Sequence, residues 1–383
     1  MDKLKILVAF GTRPEAIKLA PVIAELRSRP NDFDVKVCLT GQHRQMVDQV
    51  ISLFDIKVDY DLNLMTLNQS LESIMSRMLI SFSGVLEQER PIWVLVQGDT
   101  TTAMAGSLSA FYRGIKVGHV EAGLRTYDLQ RPFPEEFNRR LIDIIAEAYF
   151  APTEIARANL LREGILNEKI IVTGNTGIDA LLHVSQRDQD WSSGPLSSVP
   201  RNRRIVLITA HRRESFGSPF RSLCRALRAL SERFTDTEFV YPVHLNPNVQ
   251  SVVREQLGGR PNLHLLAPLD YASMVTILHC CFLVLTDSGG IQEEAPSFGC
   301  PILVLRDTTE RPEAVSAGFA KLVGTGEDRI IAEATVLLQK TRESTRVRGA
   351  NPFGDGIASR RIADHLVKLS VPAYRKQTML KAV

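Results

Sequence analysis

Short apolar runs recur along the whole chain, each followed by a segment of helical length. This alternation restricts the fold more than any other feature. Runs at 4–10, 35–39, 93–96, 116–120, 149–151 and 170–172 are followed by a second series at 205–209, 239–243, 263–266, 282–286 and 301–305. Runs that are apolar at nearly every position are what strands buried on both faces require. Segments 70–88, 102–112, 134–146 and 220–233 lie between them and have helical length. The pattern predicts an α/β fold with parallel sheets covered by helices on both faces. A chain of 383 residues exceeds one ordinary core, so two domains are expected. The polar text SQRDQDWSSGPLSSVPRNR at 185–203 marks the break. It reads as a linker. The expected division is a first domain over 1–180, a linker over 181–203 and a second domain over 204–357. A C-terminal helix within 358–383 can return to the first domain.

Composition narrows the class of function. Lys and Arg total 46 against 43 Asp and Glu, a formal net charge of +3. That balance does not suit a nucleic-acid binder. The five cysteines (Cys38, Cys224, Cys280, Cys281, Cys300) are scattered without a CxxC pair. Neither a zinc site nor a disulfide framework is indicated, and buried free thiols in a reducing compartment are expected. The N-terminus opens on a strand without a signal-like apolar segment, and the apolar run 277–285 is broken by His279. That run is too short to span a bilayer. A cytoplasmic protein with no membrane partner is expected.

Polar clusters stand where the apolar runs end: Gly11-Thr12-Arg13-Pro14-Glu15, Gln97-Gly98-Asp99-Thr100-Thr101-Thr102, His119-Val120-Glu121-Ala122-Gly123-Leu124-Arg125-Thr126 and Thr209-Ala210-His211-Arg212-Arg213-Glu214. In an open parallel sheet, ligands bind beyond the carboxyl ends of the strands. The clusters therefore predict one polar site assembled by several crossovers. Gly11 permits a tight turn and Pro14 suits a helix start, so Arg13 and Lys18 flank a helix N-terminus that favours anions. Asp99 is either a helix cap or a site acid. Glu121 ends a strand, and a partly buried carboxylate there needs a partner or a raised pKa. Glu135 and Glu136 open a helix on which neighbours point about 100° apart, so one of the two faces a given site. Arg139 and Arg140 stand four residues on and can pair with them.

In the second half, His211 sits in a cationic run at a strand end, which suits an acid or a phosphate donor. His244 ends the next strand. Asp287-Ser288-Gly289-Gly290 opens a helix with small residues whose N–H groups suit a diphosphate. Glu294 lies one turn further in, within reach of ribose hydroxyls. Arg311, in the polar loop after 305, can approach a nucleotide from the other side. A GxGxxG after the first strand and a GxxxxGK[ST] are both missing, which weakens a dinucleotide dehydrogenase and a P-loop enzyme. The residues point to an enzyme acting on a charged, sugar-like substrate.

Taken in order, the stretches GTRPEAIKLAP, QHR, QGDTTT, GHVEAGLRT, PEE.NRR, GNT.IDAL, TAHRRES, HLNPNV, DSGGIQEEAP and RDTTERPEA cover most of the chain. Together they resemble the non-hydrolysing UDP-N-acetylglucosamine 2-epimerase family. The resemblance implies two Rossmann-like domains of the GT-B type with the active site in the interdomain cleft. It implies a homodimer with no metal and no cofactor, whose partners are UDP-N-acetylglucosamine and UDP. The implied reaction interconverts UDP-N-acetylglucosamine and UDP-N-acetylmannosamine for surface polysaccharide synthesis. It proceeds by loss of UDP, a 2-acetamidoglucal intermediate and re-addition. Carried over by motif, Asp99, Glu121, Glu135 and His211 are catalytic. Arg13, Lys18, Ser288, Gly289, Gly290, Glu294 and Arg311 bind substrate or UDP. Gln42, Gln69, Glu136 and His244 match residues of a neighbouring regulatory pocket. The chain departs from its relatives at LAPLDYASM (266–274), where they often carry PQEY, and at Cys300, where they often carry Lys. The alternatives are a hydrolysing 2-epimerase, a GT-B glycosyltransferase and a nucleotide-sugar sensor without catalysis.

Overall fold

The first series of apolar runs pairs into a sheet whose strands avoid water on both faces. The computed structural model describes residues 3–41, 44–64, 69–187, 191, 194–210 and 217–370. One unit comprises the described residues of Met1–Ala180 and Gly354–Val383. Its elements are β1 (Leu4–Phe10), α1 (Arg13–Arg27), β2 (Phe33–Leu39), α2 (Arg44–Leu53), β3 (Tyr60–Asp61), α3 (Leu71–Glu89), β4 (Trp93–Gln97), α4 (Thr101–Phe111), β5 (Lys116–Val120), α5 (Glu135–Ile145), β6 (Ala148–Ala151), α6 (Glu154–Arg162), β7 (Ile170–Val172) and the first half of α7 (Thr176–Ser185), the helix in which the two units divide. The strand order is β3-β2-β1-β4-β5-β6-β7, with every pairing parallel. All residues of β4 and β6 are buried, which explains why their sequences do not alternate.

The second unit, Leu181–Phe353, repeats the plan. It contains β8 (Arg204–Thr209), α8 (Ser218–Arg233), β9 (Thr237–Pro242), α9 (Pro247–Leu257), β10 (Leu263–Leu266), α10 (Tyr271–Cys280), β11 (Leu283–Thr286), α11 (Gly289–Glu294), β12 (Ile302–Val304), α12 (Pro312–Ser316), β13 (Ala320–Leu322), α13 (Glu327–Leu338) and α14 (Arg342–Thr345). Its order is β10-β9-β8-β11-β12-β13, again parallel throughout. The edge strands β3 and β13 escape the sequence reading. Each is two or three residues long and mixes polar, exposed members with apolar ones, so it lacks the apolar run that marks the equally short β7 and β12. The segment expected as a linker carries the buried Leu181, Val184, Leu196 and Val199.

The last helix of the description, α15 (Ala358–Ser370), belongs to the first unit. Ile362, Ala363 and Leu366 enter the same core as Leu19, Ile23 and Leu26 of α1. Its start is capped from α7: Asp179 accepts from the N–H of Ser359 at 2.8 Å, its hydroxyl at 2.6 Å and the N–H of Ala358 at 3.2 Å. Those donors are the ones a helix start leaves without internal partners.

Both sheets reverse their order beside the first strand of the unit, between β1 and β4 and between β8 and β11. Such switch points open a crevice at the strands' carboxyl ends. The Gly11–Glu15 and Asp99 clusters follow β1 and β4. Thr209 ends β8, and Asp287 follows β11. Among the described residues, no helix is long and apolar enough to cross a membrane, and no group of His, Cys, Asp and Glu could hold a metal ion.

Candidate active site

Glu121 follows β5 with a backbone φ of 68°, in the left-handed region. A residue with a side chain pays a steric penalty there, and such positions gather at functional sites. The backbone is held by Phe150, whose carbonyl accepts from the N–H of Glu121 at 3.0 Å and of Ala122 at 3.2 Å. The carboxylate is buried, 8% exposed. Lys18 Nζ lies 2.6 Å from both of its oxygens, and the Gln97 side-chain amide donates to it. Lys18, read from sequence as a phosphate contact, therefore places its ammonium on Glu121. Gly123 completes the turn at φ 87°, where an added Cβ would stand 2.3 Å from the carbonyl oxygen of Ala156.

Asp99 is not the cap of α4. Thr100 takes that role, its hydroxyl accepting from the N–H of Ala103 at 3.0 Å. The Asp99 carboxylate is thereby left to pair with Arg139 of α5. Asn138 Nδ2 donates to the Asp99 carbonyl at 2.9 Å. The first turn of α5 is thus tied to the loop after β4. The i+4 pairs expected from sequence do not form. Arg139 reaches Asp99 and, at 3.3 Å, Glu136, while Arg140 lies 3.8 Å from Glu163. Arg139 thus combines a tertiary partner with a local one three residues back, and Arg140 takes a tertiary one.

Glu135 and Glu136 separate as the helical geometry requires. Glu136 is fully buried and accepts from the N–H groups of Thr126 at 3.0 Å and Tyr127 at 3.1 Å. It clamps the loop after β5. Glu135 is partly buried, and its Oε2 is screened from solvent without a hydrogen-bond partner. A carboxylate oxygen so placed is suited to a proton or a ligand group.

Glu15 is fully buried and joins two loops. It accepts from the N–H of Gly11 at 3.1 Å, the N–H and hydroxyl of Thr12 at 2.8 and 2.7 Å, and the Thr100 hydroxyl at 2.6 Å. Burial is the largest influence and raises its pKa, while these donors pull the other way. The spacing Thr12-x-x-Glu15 is a capping-box signature, the signal by which sequence could have found it. The sequence reading also passed over His119, fully buried, with Nδ1 2.6 Å from Asp143 Oδ1 and Nε2 2.8 Å from the Gly98 carbonyl. Asp143 Oδ2 accepts from Arg125 at 2.7 Å and from the N–H of Gly123 at 3.3 Å. Burial works against the Asp143 carboxylate, yet His119 and Arg125 beside it hold it below the usual carboxylate range.

In the second unit, the Thr209 and Thr286 hydroxyls lie 2.6 Å apart, and the Asp287 N–H donates to the Thr209 carbonyl at 3.0 Å. These bonds set the turn into α11. Ser288 precedes that helix, and Gly289 and Gly290 form its first residues. A Cβ on Gly289 would lie 3.7 Å from the Arg311 guanidinium, and one on Gly290 would meet only Ser288 Oγ, at 3.9 Å. Arg311 is steered by Glu293 through its Nε, and its own N–H donates to Thr309 Oγ1 at 3.1 Å. Thr309 in turn donates to Gln292 Oε1 at 2.6 Å. The sequence reading favoured Glu294, which is half-buried, and missed Glu293, Gln292 and Thr309. His244 is exposed two residues beyond β9, and its Nδ1 accepts from the Asn246 N–H at 3.1 Å. Arg13 opens α1, and Gln69 precedes the cap of α3. His211, with the rest of its cationic run, and Gln42 lie outside the described residues.

A family model described as UDP-N-acetylglucosamine 2-epimerase matches residues 24–367. The UDP-N-acetylglucosamine 2-epimerase of Escherichia coli O157:H7 is 51% identical over 372 residues, covering 95% of this chain and 98% of its own. The crystal structure of a Listeria monocytogenes protein described as a putative UDP-N-acetylglucosamine 2-epimerase superposes with a TM-score of 0.89 at 46% identity, covering 95% and 96% of the two chains. The Neisseria meningitidis UDP-GlcNAc 2-epimerase bound to UDP-GlcNAc superposes with a TM-score of 0.85 at 47% identity, covering 95% of this chain and all of that one. At the level of fold alone, the glycosyltransferase of kitacinnamycin is similar, with a TM-score of 0.62 at 13% identity. The two parallel-sheet units are thus of the GT-B type. The acid-lined edge of the first sheet, the glycine turn of the second and a match along nearly the whole chain agree: this protein belongs to the UDP-N-acetylglucosamine 2-epimerase family.

Proposed function

We propose that the chain is a non-hydrolysing 2-epimerase that interconverts UDP-N-acetylglucosamine and UDP-N-acetylmannosamine. The reading rests on one observation: the edge of the first sheet carries three carboxylates, Asp99, Glu121 and Glu135, on neighbouring elements joined by hydrogen bonds. The C2 proton of the sugar is too weakly acidic for simple removal and return. Loss of UDP from C1 together with that proton gives a 2-acetamidoglucal. UDP then adds back at C1 while a proton arrives on the opposite face of C2. Two faces of proton transfer call for more than one ionisable group. Asp99, Glu121 and Glu135 supply them, with His211 as the fourth catalytic residue. The departing diphosphate needs cations and N–H groups. Ser288, Gly289, Gly290, Glu294 and Arg311 hold the UDP, and Arg13 lies on the sugar side. No cofactor or metal takes part in this scheme.

Turnover of UDP-N-acetylglucosamine in heavy water tests it. The expected product is UDP-N-acetylmannosamine carrying deuterium at C2, with UDP bound in the product. Product without the label would rule out the proton-transfer route. Stoichiometric free UDP would identify a hydrolysing enzyme, and turnover only with an added acceptor a glycosyltransferase. The active form is proposed to be a homodimer. The packed helices α3, α4 and α5 support it, since they and the residue after α4 leave Ile80, Phe111, Tyr112, Phe137 and Ile144 exposed. A mass of one chain by light scattering would refute the dimer.

A further inference from the structure

The two carbonyls flanking the Asp99 amide and side chain each accept from a buried side chain of a neighbouring element. Gly98 O faces His119 Nε2 at 2.8 Å, and Asp99 O accepts from Asn138 Nδ2 at 2.9 Å. His119 lies on β5, two residues before Glu121. Asn138 lies on α5, three residues after Glu135. A carbonyl only accepts, so His119 carries a proton on Nε2. The other face of the ring meets Asp143 Oδ1, also on α5, and Asp143 Oδ2 takes the N–H of Gly123, two residues after Glu121. Arg125 closes the set by bridging Asp143 and Glu163, with contacts of 2.7 and 2.6 Å. One imidazole, one amide and one carboxylate thus connect the backbones that carry all three acids.

Stability alone is a poor reason for such a network. A buried ionic group costs several kcal/mol to desolvate, and well-packed apolar residues of similar volume often do as well or better. What polar groups supply and apolar ones do not is direction. A hydrogen bond fixes a carbonyl to within a few tenths of an ångström and a narrow range of angle.

We propose that His119, with Asn138 and Asp143, forms a positioning unit that sets the spacing of Asp99, Glu121 and Glu135 and so decides how protons are shared between the two faces of C2. The inference rests on the epimerase reading above. These residues do not touch the substrate; they act through the three acids.

The test uses two isosteres of one ring. In His119→Gln the amide nitrogen takes the place of Nε2 and keeps the bond to Gly98 O. In His119→Asn it takes the place of Nδ1, keeps Asp143 and releases Gly98. The readout is a ratio: deuterium at C2 of recovered UDP-N-acetylglucosamine against UDP-N-acetylmannosamine formed, at early times in heavy water. A ratio is independent of how much of a preparation is folded. His119→Asn and Asn138→Ala are expected to lower kcat about tenfold to a hundredfold with little change in KM, and to shift the ratio several-fold. His119→Gln is expected to stay nearer the unmodified enzyme. Tyr149→Phe is the control, since its hydroxyl donates at 2.7 Å to the backbone carbonyls of Asp143 and Ala146, at the end of α5, and not to the unit's side chains. It should lower the melting temperature and leave the ratio alone. An unshifted ratio in His119→Asn and Asn138→Ala, or equal behaviour of the two His119 variants, overturns the proposal. Failure of the unmodified enzyme to exchange C2 with solvent overturns instead the epimerase reading.

Discussion

The carboxyl edges of the two sheets sit at equivalent switch points and are built in opposite ways. The first is crowded. Glu15, Glu121, Glu136, His119 and Asp143 are all buried there, and each is tied to backbone or side chain by short bonds. Among the described residues around the turn of the second, Thr209, Thr286, Ser288 and two glycines are small, with Asp287, Gln292 and Glu293 buried beside them and Arg311 of the next loop steered by Glu293. Groups that exchange protons must be held in register before substrate arrives, because misplacement by an ångström costs about a hundredfold in rate. A group that cradles a diphosphate needs open backbone N–H donors, and for that a missing side chain serves best. The bulk of the side chains at each turn thus suits the chemistry proposed for it.

The sharpest way to break this contrast is at the acids. Glu121→Gln and Asp99→Asn are expected to lower kcat by about a hundredfold to ten-thousandfold, the usual worth of an acid–base group. Binding of UDP, followed by calorimetry, should stay within a few-fold of normal. A loss of UDP affinity equal to the loss of rate would merge the two edges into one function. The glycines come next. Gly123→Ala meets the Ala156 carbonyl at 2.3 Å from a positive φ. It should cost about 2–4 kcal/mol in denaturant unfolding. Gly290→Ala has open space around it and should change stability by less than about 1 kcal/mol, yet weaken UDP binding. Equal losses of stability would show the second edge to be as packed as the first.

Arg311→Ala should weaken UDP binding about tenfold or more, as for a lost charge-assisted hydrogen bond, with kcat less affected than in the acid variants. Titration of UDP against the variant checks this. The smallest effect concerns pH. Burial raises Glu15 above its ordinary 4.5, so its contribution to stability is complete below that value and is lost as pH rises through its folded-state value. Asp143 runs the other way: its contribution is present above 3.8 and is lost on acidification. Gln fits the Glu15 site, with its oxygen taking the Gly11 and Thr12 donors and its amide donating to the Thr100 hydroxyl. Glu15→Gln should therefore flatten the decline in unfolding free energy as pH rises above about 4.5. A curve parallel to the unmodified protein would show that Glu15 does not gain protons on folding.

The architecture was legible because the strands are buried on both faces, which leaves an apolar signature that needs no partner to be read. The candidate acids stood out because strand ends are punctuated by polar residues, and the structure places Asp99 and Glu121 just after β4 and β5. What the sequence could not reveal was pairing between positions far apart. Lys18 and Glu121 stand 103 residues apart, and nothing local distinguishes that ammonium from a phosphate ligand. The same holds for Arg139, which keeps a neighbour on its helix, Glu136, but also reaches Asp99, 40 residues away. His119 and Asp143 lay hidden inside an apolar strand and a helix face, where a lone polar residue carries no periodic signal. β3 and β13 are edge strands with polar, exposed members, so no apolar run marks them.

The capped helix α15 has a consequence for biosynthesis. The core it completes was begun by α1, and the whole of the second unit is translated between the two. On the ribosome the first unit must wait, with the surface that will receive Ile362 and Leu366 uncovered, until its last helix emerges. The later-encoded unit is therefore the first to possess every segment of its own core, reversing the usual amino-terminal lead in co-translational folding.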